Sequence, residues 1–218
     1  MVEKKCACAR TFDENASSKC LTEPMVRSDT RYIIRPTGES SVAVQVFKSG
    51  LMARRKHVLF LQRYSGEVDY DSANPENSRV QLVFEAASVV CRDQWLKPEK
   101  RESFLAFVHK EILAADQHET ISFTSDRIKR VSSTRFQLEG TLTFRGGAKP
   151  VLFEVVVIQN GKDRLEIDGT ARLRMSDYGI NLPSAFFGLV GTKDEVALRF
   201  LLWPERTAAA VQKVTAAV

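Results

Sequence analysis

Along most of this chain, from about residue 32 to residue 203, apolar residues fall on alternate positions between turn signals. Phe136-Gln-Leu138-Glu-Gly140-Thr-Leu142-Thr-Phe144 is the clearest run, with an apolar residue or Gly at every second place. Leu165-Glu-Ile167-Asp-Gly169-Thr-Ala171-Arg-Leu173-Arg-Met175 repeats the device. Successive side chains of a strand point to opposite faces, so each run predicts a strand with one buried and one wet face. Further strands are predicted at 32–35, at 41–47 with Val42, Val44 and Val46 on one face, and at 58–70 on the even positions Phe60, Tyr64, Val68 and Tyr70. Gly66 marks a bend in that long strand. Strands at 79–89, 120–125, 151–158 and 195–203 complete the set.

One segment changes period. Pro98 suits a first helical turn, and Phe104, Leu105, Val108, Ile112 and Ala115 share a helical face, which predicts a helix over 98–116. Residues 151–158 are apolar on both faces. That strand calls for cover on both sides, from the helix or from a second copy in a homodimer. The cluster from Asp71 to Ser78 reads as a turn, as do Glu76-Asn77 and Asp177-Tyr178-Gly179 within their loops.

About eight strands and one main helix predict an all-β fold, a closed antiparallel barrel of the lipocalin type. The domain spans 31–204. Residues 1–30, without periodicity, are expected to be a disordered tail, and 205–218 a C-terminal tail.

Composition narrows the function classes. The chain has 218 residues, 44% of them hydrophobic, and a net charge of +5 with both signs interleaved. No tract is dedicated to nucleic acid. No run approaches the ~20 apolar residues that span a bilayer, so an integral membrane helix is not expected. No apolar segment follows Lys4 and Lys5, which predicts a cytoplasmic protein as written, or a periplasmic or secreted one if the true start lies upstream. Of the four Cys, Cys6, Cys8 and Cys20 sit in the tail and Cys91 follows a strand; their spacing fits no common zinc site, and reduced thiols are expected.

The motifs of nucleotide-binding loops, serine hydrolases and zinc proteases are absent. No nucleophile, base, metal set or cofactor site can be assembled, so the chain is read as non-enzymatic and without cofactor. His57, after Arg54-Arg55-Lys56, is a candidate barrel-mouth residue that could meet an anionic head group; the alternative is a solvated loop. His109 and His118 are read as surface residues. The candidates for the barrel lining are Tyr64, Tyr70, Leu82, Phe84, Phe123, Phe136, Leu138, Phe144, Phe153, Val155, Ile167, Leu173 and Phe200. They could form a dry packed core or the wall of an apolar tunnel, and periodicity alone slightly favours the core.

Several short motifs occur in a telling order: Ser65-Gly-Glu-Val-Asp-Tyr-Asp71, Asn74-Pro-Glu-Asn-Ser78, Ala86-Ala-Ser-Val89, Gly140-Thr-Leu-Thr-Phe144 with Gly147-Ala-Lys-Pro150, and Ser176-Asp-Tyr-Gly-Ile180. In this order they resemble the YceI-like family over Tyr32 to about Trp203. Lys110-Glu-Ile-Leu113 followed by Glu119-Thr-Ile-Ser-Phe123 resembles a branch with a longer helix. The resemblance implies a lipocalin-like barrel and, in some members, a bound polyisoprenoid or quinone-like chain. The chain departs from the pattern at Arg55 and Lys56, where that branch tends to carry a second His, at Glu119 in place of Pro, and in its Cys-containing tail.

The expected function is non-catalytic binding of a long apolar lipid of isoprenoid type inside the barrel, in a cavity of at least roughly 300 Å³. The alternative is a filled barrel acting through its surface as an interaction or structural protein.

Overall fold

The computed structural model describes residues 29–160, 163–182 and 190–207. Cys6, Cys8, Cys20, Pro183 and Gly188, and the expected N-terminal tail up to residue 28, lie outside the described residues. Twelve strands form one antiparallel sheet: β1 (Asp29–Ile34), β2 (Ser41–Gly50), β3 (Lys56–Leu61), β4 (Tyr64–Asp71), β5 (Arg79–Glu85), β6 (Val89–Cys91), β7 (Thr120–Arg130), β8 (Arg135–Phe144), β9 (Gly147–Asn160), β10 (Arg164–Arg174), β11 (Val190–Leu202) and β12 (Glu205–Arg206). Between β6 and β7 runs α1 (Pro98–Phe107), continued by a π-helical stretch, Val108–Leu113.

β11 and β12 act as one strand interrupted at Trp203 and Pro204. The Leu165 N–H donates to the Pro204 carbonyl across the break (3.0 Å), so β10 follows both pieces. On its other flank this composite strand pairs with β2 along β11 and with β1 along β12. The ring β1–β4–β5–β7–β8–β9–β10–β11/β12 therefore closes with eight strands, and the branch β2–β3–β6 leaves β11 and ends at β6. At one end β2, β3 and β6 spread the wall outward from β11. There β6 parts from β7, and the helix fills the gap. The His109 Nε2 contacts the Val89 carbonyl at 2.9 Å, and Arg145 donates to the Glu111 carbonyl in the last helical turn (2.7 Å).

The structure corrects four expectations. The 58–70 strand bends at Gln62-Arg63, not at Gly66. The break shifts the parity: Leu59 and Leu61 face inward in β3, Tyr64 and Val68 in β4, and Phe60 lies under Arg92 instead. Gly66 lies mid-strand opposite Leu82, where a Cβ would strike that side chain. β7 runs to Arg130, past the end expected at 125. A bulge between Ser125 and Arg127 interrupts the alternation and brings Ile128 inward. Outward residues of β9 have no helix over them: Leu152 and Ile158 are each 45% exposed. The sheet also continues two residues beyond 204 through β12.

The turn motifs tie the ends. The Asp71 carboxylate accepts from the N–H groups of Ala73 and Asn74 (both 2.9 Å), and the Ser78 hydroxyl accepts from the Asp71 N–H (3.0 Å). The Asp194 carboxylate accepts from the N–H and hydroxyl of Ser176, and Gly179 takes the left-handed φ of +69° that ends that turn.

Candidate functional site: two chambers in the barrel

The inward faces enclose two apolar chambers. The larger, on the helix side, has a volume of about 220 Å³; the far one has about 70 Å³. Leu82, Phe200 and Leu202 contribute to both walls. The single cavity of at least roughly 300 Å³ expected of a carrier is not found: the space is divided, and its larger part falls short of that volume.

Those three shared residues stand between the chambers, and aromatic neighbours brace Phe200. Phe153 meets Phe123 edge-to-face at 5.1 Å and Phe200 at 5.5 Å. Two glycines give these rings room. A Cβ on Gly140 would lie 2.5 Å from the Phe123 ring, and one on Gly169 would overlap the Phe200 ring of its cross-strand partner. Both glycines occupy inward positions, where the alternation counts them as part of the apolar face. Their function there is to let a neighbouring ring lie across the strand.

Of the predicted lining residues, Leu82, Phe84, Phe123, Phe144, Phe153, Leu173 and Phe200 reach the helix-side chamber. Tyr70, Phe136, Leu138, Val155 and Ile167 reach only the far one. Tyr64 reaches neither; it is buried with its ring 5.9 Å from that of Phe84.

The lining expectation left out most of the larger wall. Val42, Val44, Val46, Leu59 and Leu61 supply one side, and Phe104, Phe107, Val108, Ile112 and Leu113 the helical cover. The signal was present in the parity of β2 and in the apolar helix face. The π-helical stretch adds Leu113 to that face, because its wider turn brings residues five apart into line.

His57 is not an open rim residue. It is 4% exposed, on the inward parity of β3, stacked 4.0 Å from Phe104 and 4.9 Å from Trp95. The Asp93 carboxylate lies 2.7 Å from the His57 Nδ1 and accepts the Val58 N–H at 3.1 Å. This carboxylate fixes the proton on Nδ1 and leaves Nε2 as an acceptor in the neutral ring. Burial pushes the imidazole below its ordinary pKa; Asp93 opposes that and Lys48 reinforces it. Asp93 carries no signal in the sequence, since a lone acid after a short strand reads as a loop residue.

Besides His57, the polar residues Lys48, Thr192 and Arg199 border this chamber. Lys48 and Thr192 are register partners on β2 and β11. Burial pushes the Lys48 ammonium below its usual pKa. Among the described residues, no group of three or more His, Cys, Asp or Glu could hold a metal ion, and no helix is long and apolar enough to cross a membrane. Cys91 is buried with a free thiol.

Comparison with known proteins agrees with this architecture. The YceI-like domain matches residues 33–202. UPF0312 proteins of Ectopseudomonas mendocina and Azotobacter vinelandii are 29% and 30% identical over 122 and 127 residues, 54% of this chain in each case. The matched part spans 60% of those relatives' own length. Burkholderia cenocepacia BcnA superposes with a TM-score of 0.61 at 21% identity, over 75% of this chain and 95% of that one. A polyisoprenoid binding domain from Saccharophagus degradans superposes with a TM-score of 0.59 at 13% identity, over 81% and 98%. These two likenesses are of fold.

Proposed function

The chain belongs to the YceI-like family, and on that footing we propose that its barrel is a non-catalytic carrier that holds the apolar chain of a lipid in the helix-side chamber. The observation that carries the reading is the chamber itself, about 220 Å³ of space walled almost wholly by aliphatic and aromatic side chains. An apolar void of this size left empty costs on the order of several kcal/mol in lost contacts. A filled barrel would close it with larger side chains. Inserting a chain restores those contacts and yields roughly 0.8 kcal/mol per buried CH2, so about ten carbons supply a gross ~8 kcal/mol. The solved Saccharophagus degradans domain, described as polyisoprenoid-binding, supports an isoprenoid-type chain as the ligand here.

Native mass spectrometry of the full chain purified from its own host tests the reading. A co-purifying apolar mass is expected, and it should be lost when Leu198, on the chamber wall, is replaced by Trp. Protein that carries no lipid and takes up no fluorescent lipid after delipidation would rule the carrier out.

A further inference from the structure

One corner of the helix-side chamber is charged, and among the described residues no ion pair neutralises it. Val42, Val44, Val46 and Lys48 occupy successive inward positions of β2. The outward parity would have left the ammonium in water at no desolvation cost; here it borders an apolar chamber and is half-buried. No described carboxylate pairs with it. The nearby acids are engaged elsewhere: Asp93 with His57 and Val58, Asp194 with Ser176, and Glu195 with Arg172. His57, 4% exposed, lines the same chamber, and with Nδ1 held by Asp93 its Nε2 is the ring's acceptor. Thr192, across from Lys48 in the register, adds a hydroxyl. The exposed Arg54, Arg55 and Lys56 of the β2–β3 hairpin make this end of the barrel attractive to anions.

We infer that Lys48, Thr192 and His57 form a head-group site for an acidic amphiphile, with a carboxylate or phosphate-monoester oxyanion on the Lys48 ammonium and the tail in the chamber. The inference rests on the carrier reading and adds the head-group class to it. An oxyanion supplies the missing counter-charge. Thr192 can donate to a second oxygen, and where the head is a phosphate monoester His57 Nε2 can accept the proton of its remaining hydroxyl. A neutral head, such as an alcohol or a quinone, has no use for the ammonium.

The test titrates delipidated full-length protein with dodecanoate, dodecyl phosphate, dodecanol and methyl dodecanoate, each below its micellar concentration. The wild type should bind at least one of the two anions about tenfold or more tighter than the ester, the weight of one part-desolvated charged contact. The tighter anion identifies the source as carboxylate or phosphate. Lys48→Met should abolish the preference of the anions over the ester in a protein that still melts cooperatively; Lys48→Arg should keep it. Ester or alcohol binding as tight as both anions, or a preference that survives Lys48→Met, would overturn this inference and leave the carrier reading standing. Binding of none of the four probes would remove both.

Discussion

The two chambers of this barrel are built from the same alternating strands, yet one is open and the other nearly closed. In the far half the eight-strand ring is complete, and Phe136, Leu138, Val155 and Ile167 fill it down to about 70 Å³. In the helix-side half the wall is spread by β2, β3 and β6, and the gap is roofed by a helix instead of a strand. Small side chains such as Val42, Val44 and Val46 face the space there, and about 220 Å³ remains. The difference teaches that strand alternation specifies which residues point inward, while ring geometry decides whether they meet. A roof made of a helix can sit further from the opposite wall than a hydrogen-bonded strand can.

Several substitutions can break or sharpen this contrast. The largest effect is expected from Phe153→Ala, which removes the ring that braces Phe200, one of the three residues shared by both walls. It should cost ~3–5 kcal/mol in denaturant unfolding and merge the chambers; a loss under about 1 kcal/mol would mean that this ring bears little of the fold's stability. Leu138→Trp overpacks the far chamber and should cost ~1–3 kcal/mol while sparing lipid uptake. Leu198→Trp places the same ring in the open chamber, opposite Val44. It should change the stability of delipidated protein by less than about 1 kcal/mol, because the ring enters empty space. Equal costs at the two sites would show that the chambers do not differ.

The smallest effect concerns pH. Burial holds folded His57 below its ordinary pKa of 6.5, so on acidification the unfolded chain binds the proton first. The pair's contribution is therefore fully present above pH 6.5. It declines as pH falls below that value, until the folded imidazole protonates too. Subtracting the unfolding profile of His57→Gln isolates this component, and a difference that stays flat through this range would contradict the assignment.

Much of this was legible in the chain. The barrel, its one helix and most inward positions follow from alternation, because burial on one face leaves a period of two. The alternation fails where the backbone inserts a residue: at Gln62-Arg63, which moved His57 onto the inward parity, and at the β7 bulge, which brought Ile128 inward. Glycine misled in another way. Gly140 and Gly169 look like neutral members of an apolar run, and only their neighbours' rings show why they are small. Asp93 lies 36 residues from His57 in sequence, and no local pattern links them. The double apolar face of β9 suggested a cover; the helix does not supply it, and the outer residues pair across the sheet with Glu139, Glu166 and Asp168.

The central claim is that the helix-side chamber, and not the barrel as a whole, receives the ligand. Titration of a fluorescent apolar probe into delipidated wild type, Leu198→Trp and Leu138→Trp, with the melting temperature of each recorded, tests it most directly. The account predicts saturable binding in wild type and Leu138→Trp and none in a folded Leu198→Trp. Undiminished binding in Leu198→Trp, or loss of binding in a folded Leu138→Trp alone, would contradict it.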